Sequence, residues 1–193
     1  MAKAPVPGRV KTRLIPALGA IGAAHLHEAL TRRTLATIAE FHPARFQLHC
    51  HPGIAHPFFR DMQARHPLTL MPQRGSNLGA RMHHALRLGV RLGFHAILVG
   101  TDCPEIDRAY LEQAARALET PRRLVLGPAT DGGYVLIGCN FAPPRALFTG
   151  VPWGTARVLR ETLARCRRLG IEPVLLTPLA DIDRPEDLSR WTL

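Results

Sequence analysis

The sequence predicts an α/β fold in which helices cover a largely parallel β-sheet. Apolar runs of strand length alternate along the chain with longer segments of helical periodicity, which is the pattern that βαβ units produce. The run Ala96–Val99 is apolar at every position, as expected of a central strand covered on both faces. The 193 residues suit one domain, and without any repeat or linker we expect a single domain over residues 1–193.

Six segments have the pattern of strands and six have the pattern of helices. The predicted strands are Phe46–Cys50, Leu68–Met71, Ala96–Val99, Leu124–Leu126, Tyr134–Gly138 and Val174–Thr177. The predicted helices are Gly22–Glu40, Pro57–Arg65, Leu78–Leu92, Arg108–Leu118, Thr155–Leu169 and Pro185–Trp191. Side chains suited to N-capping precede several of them: Ser76 or Asn77 before the third, Asp107 before the fourth and Thr155 at the fifth.

The first strand of the sheet is expected to be largely missing. Met1-Ala2-Lys3 leads directly into a loop rich in proline and glycine. A doubly wound sheet normally has a full strand before its first ligand-binding loop. Here that strand is predicted to be absent or reduced to a stub.

Composition favours an anionic ligand and excludes several other classes. The formal net charge is +10, which suits a nucleotide phosphate. Because the arginines are spread over helical segments, most are expected to be solvated, and direct nucleic-acid binding is disfavoured. No apolar run approaches the roughly 20 residues of a membrane span, and no signal-peptide region is found, so a cytoplasmic location is the expectation. The four cysteines lack CxxC spacing, which predicts free, mostly buried thiols.

The first candidate site is the loop Pro5–Leu14, which carries Gly8, Arg9, Lys11 and Arg13. Glycine lets a backbone approach a ligand closely, and alternating cations on an extended segment project to one side. Three converging cations could hold a diphosphate, with arginine supplying forked donors. A P-loop is rejected because Val10 stands where the second glycine should be. The alternative is a basic surface loop.

The second candidate is Asp102, in the segment Gly100-Thr101-Asp102-Cys103-Pro104 after the strand Ala96–Val99. Ligands of open α/β sheets gather at the carboxyl ends of strands, and a carboxylate there can hold magnesium or manganese together with phosphate oxygens. Since Asp107 is the better cap for the following helix, Asp102 has no obvious structural role. We therefore interpret it as a metal ligand.

Two further loops are ambiguous from pattern alone. Asp131-Gly132-Gly133 lies between two short strands, where it predicts either a hairpin turn or a substrate-lining loop. Near the C-terminus, Asp183 with Glu186 has the pattern of a capping box, and metal binding is the alternative for Asp183. Asp181 is less easily explained by capping. Asp181 and Asp183 are the candidates for a second metal-binding carboxylate beside Asp102.

Six blocks together resemble one family. In order along the chain they are AKAPVPGRVKTRL (2–14), QRGSNLGARM (73–82), ILVGTDCPEI (97–106), LGPATDGGYVLIG (126–138), LFTGVPWGT (147–155) and DIDRPEDL (181–188). They resemble the GT-A-like bacterial nucleotide-diphospho-sugar transferases, a group that includes glycosyltransferases linked to arsenosugar biosynthesis. The segments GTDCP and GPATDGGYVLIG are the most specific. A more distant similarity is to the guanylyltransferases of cofactor biosynthesis.

The resemblance implies a three-layer GT-A-like fold and a nucleotide-sugar site at the carboxyl ends of the first strands. Lys11 and Arg13 fall on the phosphate-binding loop, Asp102 on the metal position and Asp131 in the acceptor-side loop, where we assign the catalytic role. Gly132, Gly133 and Trp153 are assigned to substrate binding, although Trp153 also suits an indole that packs a loop.

The sequence therefore predicts a glycosyltransferase that moves a sugar from a nucleoside-diphosphate sugar to a small acceptor with Mg²⁺ or Mn²⁺. Two alternatives stay open: a nucleotidyltransferase that releases pyrophosphate, and a non-catalytic nucleotide-binding domain. The base, the sugar, the acceptor and the oligomeric state cannot be named from the sequence.

Overall fold

The structure, a computed structural model, describes residues 1–190 of the chain. The chain divides into two compact units. The first contains Met1–Gln73, Gly100–Arg108 and the chain from Asp181 onward; the second contains Arg74–Val99 and Ala109–Ala180. Each unit has its own sheet, and the predicted α/β class is confirmed.

The first unit is built on three parallel strands in the order β1-β2-β3. They are β1 (Ala2–Lys3), β2 (Gln47–His51) and β3 (Thr69–Pro72), and two helices belong to the same unit, α1 (Ile15–Phe41) and α2 (Pro57–Arg65). β1 has only two residues, so the prediction of a stub is confirmed. Apolar side chains of β2 and α2, among them Leu48, Phe59 and Met62, form a buried cluster that also includes Ala2 and Leu35.

Helix α1 begins at Ile15, earlier than the predicted Gly22, because it includes a short first turn that an interruption separates from the main helix. Gly19 has φ of 68° and ψ of 167°, which breaks the helical geometry between a short first turn and the long remainder. All the buried residues of α1 lie after this break, from Ala23 to Leu35. None of the helices in the described chain is both long and apolar enough to span a bilayer, and α1, the longest, carries Glu28, Arg32 and Arg33.

The second unit has four strands in the order β4-β6-β5-β7. They are β4 (Ala96–Val99), β5 (Leu124–Pro128), β6 (Tyr134–Cys139) and β7 (Pro173–Leu175). β6 runs antiparallel to both neighbours, whereas β5 and β7 are parallel. The antiparallel pairing follows from the short connection between β5 and β6, which is too short for a parallel crossover.

Three helices accompany this sheet: α3 (Leu78–Arg91), α4 (Arg108–Ala117, all but its first residue in this unit) and α5 (Val158–Arg168). The predicted N-cap of α3 is confirmed, since Asn77 Oδ1 accepts from Ala80 N at 3.0 Å. α5 begins later than predicted, with Arg157 as its N-cap; in the preceding turn Thr155 Oγ1 donates to Pro152 O at 2.8 Å and accepts from Arg157 N at 3.3 Å. The last predicted helix is a 3₁₀ helix, Pro185–Arg190, and Trp191 lies outside the described residues.

The four cysteines are free and buried, as predicted. Burial raises the pKa of Cys50 and Cys139 to about 12. It raises the pKa of Cys103 and Cys166 to about 11.

Candidate functional site

Lys11 lies in a tight turn just before α1. Residues 7–11 form turns, Gly8 has φ of 78°, and a 3₁₀ helix, Thr12–Leu14, follows. Lys11 itself has φ of 46° and ψ of 42°, a left-handed conformation that costs a residue with a Cβ roughly 1–2 kcal/mol. The predicted row of cations on one side of an extended segment is therefore wrong: Arg9 and Arg13 are exposed, but Lys11 is buried.

The Lys11 ammonium holds three distant segments together. Its side chain is only 3% exposed, and Nζ lies 2.8 Å from Asp102 Oδ1 while it also donates to Ile182 O. Ile182 N in turn donates to Asp102 O at 2.9 Å, and the Ile182 side chain packs in an apolar cluster with Leu14 and Leu30. Asp102 therefore contacts the Gly8–Arg13 loop directly, through Lys11.

Asp102 presents two different oxygens. Oδ1 is buried against Lys11, whereas the side chain as a whole is 48% exposed, so the exposed surface belongs to the remaining atoms, which include Oδ2. His27 Nδ1 lies 3.8 Å from Oδ1, and Nε2 of the same ring donates to Lys3 O at 3.0 Å. The imidazole therefore lies beside Asp102 on the side of α1.

The charge state of Asp102 follows from these neighbours. Burial by itself would raise the pKa of this carboxyl, but the Lys11 ammonium and, to a smaller extent, the nearby His27 ring outweigh burial. The net result holds the pKa of Asp102 well below its ordinary value. Asp102 is therefore a carboxylate at neutral pH, with one oxygen fixed and one open.

Arg13 and Asp183 form a second ion pair in the same unit, through Arg13 Nη1 and Asp183 Oδ2. The predicted capping box of Asp183 and Glu186 is wrong. Asp187 Oδ2 caps this turn instead, accepting from Asp183 N at 3.1 Å and from Arg184 N at 2.8 Å. The Asp183 carboxylate is thereby left to pair with Arg13.

The residues fit a divalent metal ion only in part. Within residues 1–190, no three His, Cys, Asp or Glu side chains are grouped so as to hold an ion. Asp102 fits, because its exposed part offers carboxylate oxygen and Mg²⁺ in proteins commonly uses one or two carboxylates with substrate phosphates. Asp183 fits less well, since Arg13 engages it. Asp181 directly precedes Ile182, whose N–H donates to Asp102 O, so the backbone of Asp181 lies close to Asp102.

The Asp131–Gly133 segment belongs to the second unit and connects β5 to β6. Asp131 Oδ1 accepts from Gly133 N at 2.7 Å, and Gly132 has φ of 91°. A Cβ added at Gly132 would lie 2.2 Å from Ala156 O, so glycine is required there for space as well as for conformation. The hairpin-turn interpretation is correct, and the catalytic role of the exposed Asp131 stays a prediction.

Trp153 is half-buried in the second unit and packs against two neighbours. Its ring meets Tyr134 edge to face, with centroids 6.2 Å apart. It also covers Gly79, where an added Cβ would lie 2.6 Å from the indole. These contacts give Trp153 a packing role, and its assignment to substrate binding stays a prediction.

Sequence reasoning missed two residues of the first unit. His27 is a lone histidine on the buried side of α1, and no motif marks it. Gln73, at the end of β3, donates through Nε2 to Ala2 O at 3.1 Å and to His49 O at 3.0 Å, which ties the short β1 to β2. One signal for His27 was available in the sequence. The helical periodicity of α1 predicts that position 27 is buried, and a polar residue at a buried position is unusual.

Comparisons with known proteins bear on this geometry. Residues 34–155 match the family described as uncharacterized proteins conserved in bacteria, DUF2064. The matched segment is more than half of the chain. The chain belongs to the DUF2064 family. No curated protein matches it in sequence.

A crystal structure similar to this DUF2064 member is that of a protein from Desulfovibrio desulfuricans G20, provisionally described as a nucleotide-diphospho-sugar transferase. The two chains are 31% identical and superpose with a TM-score of 0.84. The alignment covers 95% of the DUF2064 chain and 80% of the other. The likeness confirms the predicted fold class over nearly the whole chain.

Proposed function

We propose that this protein is a glycosyltransferase that transfers a sugar from a nucleoside-diphosphate sugar to a small acceptor. The observation that carries the proposal is the contact of the loop Pro5–Leu14, called the basic loop below, with Asp102: Lys11 Nζ lies 2.8 Å from Asp102 Oδ1. The similarity to a provisionally described nucleotide-diphospho-sugar transferase supports the same assignment. An acceptor related to arsenosugars is a further expectation, based on the sequence blocks alone.

In the proposed reaction, a nucleophilic group of the acceptor forms a bond to the anomeric carbon of the sugar. The bond from that carbon to the diphosphate oxygen breaks, and the nucleoside diphosphate leaves with the electron pair. The acceptor proton passes to a carboxylate, and Asp131 is the candidate for this role. The main demand on the protein is stabilisation of the charge that develops on the leaving diphosphate.

The basic loop is proposed to meet that demand. Arg9 is exposed, and none of the other described residues pairs with it; Arg13 is exposed over about half of its side chain. Both can offer forked N–H donors to phosphate oxygens. Lys11 has a different part, because two of its three N–H donors are directed to Asp102 and Ile182. It fixes the Asp102 carboxylate and leaves one donor for a phosphate oxygen.

A divalent ion, Mg²⁺ or Mn²⁺, would be held by the open side of Asp102 together with substrate phosphates, and Asp181 is the candidate for a second carboxylate. When bound, such an ion supplies positive charge next to the leaving diphosphate. A single carboxylate binds Mg²⁺ weakly without substrate oxygens. Metal and nucleotide are therefore expected to bind together, each tightening the other by the same factor.

The reaction class is tested by identifying the nucleotide product. Incubation with a nucleoside-diphosphate sugar and manganese should yield free nucleoside diphosphate, measured by ion-exchange chromatography. Incubation with a nucleoside triphosphate and a sugar phosphate should yield no pyrophosphate. Release of pyrophosphate would instead establish nucleotidyl transfer, and binding without any product would establish a non-catalytic nucleotide-binding protein.

The metal assignment is tested by replacing Asp102 with asparagine, which keeps the shape and removes the charge. In the parent, calorimetric affinity for a nucleoside diphosphate is expected to rise on addition of manganese. In Asp102→Asn this gain should disappear. Asp61→Asn is the control, because Asp61 is a carboxylate of the same unit that pairs with Arg32 and Arg65, and it should keep the full gain. If Asp102→Asn also keeps the full gain while remaining folded, Asp102 is not the metal ligand.

A further inference from the structure

The second unit contains a groove of about 550 Å³ along α3. One wall is α3 with the turn before it, and the other wall is the segment from Arg145 to Gly150. Phe148, which is buried, packs at the base with its ring centroid 5.5 Å from that of His83. We call this cavity the α3 groove. Its volume falls in the range of small-molecule sites, roughly 300–1,000 Å³.

The lining of the α3 groove carries only positive charge. It contains four arginines and two histidines and no acidic residue: Arg74, Arg87, Arg91, Arg145, His83 and His84. His84, Arg87 and Arg91 are spaced along one face of α3, and Arg145 lies on the opposite wall. Positive side chains on both walls of one cavity are the arrangement that surrounds a bound anion.

The four groove arginines differ from Arg157 and Arg165 of the same unit, which have Glu161 as a counterion. Arg165 pairs with Glu161 at 3.1 Å, and Arg157 with the same carboxylate at 3.5 Å. For the four groove arginines, the described part of the chain supplies no ion pair and no hydrogen-bond acceptor. A fully solvated helix face would account for Arg87 and Arg91 alone, but it does not account for Arg145 across the cavity.

A hydrogen bond connects the two walls of the groove. His83 Nε2 donates to Pro143 O at 3.1 Å, which joins α3 to the segment that leads into the second wall. Burial lowers the pKa of His83 against the opposing effect of its hydrogen bond with Pro143 O, and the nearby Arg87 and Arg145 lower it further. The N-terminus of α3, where Asn77 satisfies only the N–H of Ala80, adds a favourable partial charge at one end of the groove.

We propose that the α3 groove binds the phosphate group of a small phosphorylated molecule. A phosphate monoester carries close to two negative charges at neutral pH and three acceptor oxygens, and arginine forks match those oxygens in pairs. The volume of the groove, about 550 Å³, suits a small molecule. This proposal does not depend on the sugar-transfer reaction, because none of the residues that line the α3 groove is assigned a role in that reaction.

The proposal is tested by titrating the full chain with inorganic phosphate and following backbone amide shifts by NMR. Ionic strength is held constant with chloride, so that general screening does not contribute. Saturable shifts are expected at Ser76, Asn77, Thr149 and Gly150. Arg87→Gln and Arg145→Gln should each weaken phosphate binding about tenfold, the effect of losing one charge-assisted hydrogen bond.

Arg167→Gln is the matched control, because Arg167 is an exposed helical arginine of the same unit that lies outside the groove. It should bind phosphate as the parent does. An equal loss in Arg167→Gln would show a general charge effect and overturn the proposal. Unchanged affinity in both groove variants, or shifts confined to the basic loop and the Asp102 turn, would overturn it as well.

The source of the phosphate is distinguished in a second titration. Glycerol 3-phosphate should shift the same amides as inorganic phosphate and bind at least as tightly. Any co-sedimentation of the protein with vesicles that contain phosphatidic acid should be the same in the parent, in Arg87→Gln and in Arg145→Gln. Loss of vesicle binding in those two variants, without a glycerol 3-phosphate shift, would assign the groove to a membrane surface and contradict the small-molecule proposal.

Discussion

Replacing Lys11 by methionine is expected to lower the free energy of unfolding by roughly 2–4 kcal/mol. Removing one partner of a buried ion pair costs about 3–5 kcal/mol, and the partial exposure of Asp102 reduces that figure. The Ile182 carbonyl also loses its donor, which adds a smaller cost. Methionine keeps the length of the side chain and the same backbone conformation, so the loss reports on the ammonium group. Urea denaturation with an unchanged slope measures it.

Arg9→Met is the matched control for this substitution. Arg9 is a cation of the same turn, but its side chain is exposed, so its loss should change the unfolding free energy by no more than about 0.5 kcal/mol. Equal stability of the two variants would mean that the Lys11 ammonium does not stabilise the fold. The structural role assigned to Lys11 would then be withdrawn.

The stability difference between the parent and Lys11→Met should narrow as the pH is lowered. In the parent the pKa of Asp102 lies below its unfolded value, so the stabilisation is present above about pH 4 and is lost as the pH falls through the folded value. In the variant, the effect of burial on the pKa of Asp102 is no longer opposed by Lys11. The stabilisation is therefore absent over the whole pH range. Urea denaturation midpoints of the parent and of Lys11→Met, taken at about pH 6 and about pH 3, measure this change. If the difference between the two proteins stays constant or widens at the lower pH, the ion pair of Lys11 and Asp102 does not stabilise the fold as described.

Replacing Gly132 by alanine is expected to destabilise the protein by roughly 2–5 kcal/mol. The new Cβ would lie 2.2 Å from Ala156 O and 2.8 Å from two further backbone atoms of Ala156, which cannot rotate away as a side chain can. Overpacking of this kind costs about 1–3 kcal/mol, and the positive φ of 91° adds about 1–2 kcal/mol. Thermal unfolding should show a fall of about 2–4 °C for each kcal/mol.

Gly154→Ala separates the two causes. Gly154 belongs to the same unit and has φ of 80°, but an added Cβ would meet no atom within 4 Å. It should therefore cost only the conformational term of about 1 kcal/mol. If the two alanine variants melt at the same temperature, the close approach of Ala156 to Gly132 is not real.

Much of the fold could be predicted from local patterns. The strand Ala96–Val99 and the helix Pro57–Arg65 match the structure residue for residue, because each is marked at both ends by its own sequence. The antiparallel direction of β6 was harder to predict from the sequence. It depends on which strands become neighbours, and the turn at Asp131 predicted a hairpin without excluding a substrate loop.

The sequence predicted which residues form the site, but not how they are arranged in space. Lys11, Arg13, Asp102 and Asp183 were all selected from the sequence, and each makes an ion pair with another member of the set. The sequence could not show that Lys11 is buried, because its carbonyl acceptor lies 171 residues away. Nor could it show the left-handed backbone at Lys11, since alternation of charge suggested an extended segment.

The buried thiols make the native chain nearly inert towards alkylating reagents, and this gives each unit its own reporter of opening. Only the thiolate reacts, and with pKa values of about 11 to 12, roughly one thiol in a thousand or fewer is ionised at about pH 8. Cys50 and Cys103 belong to the first unit, and Cys139 and Cys166 to the second. Pulsed alkylation read by peptide mass spectrometry can therefore tell which unit exposes its interior first, without any engineered label.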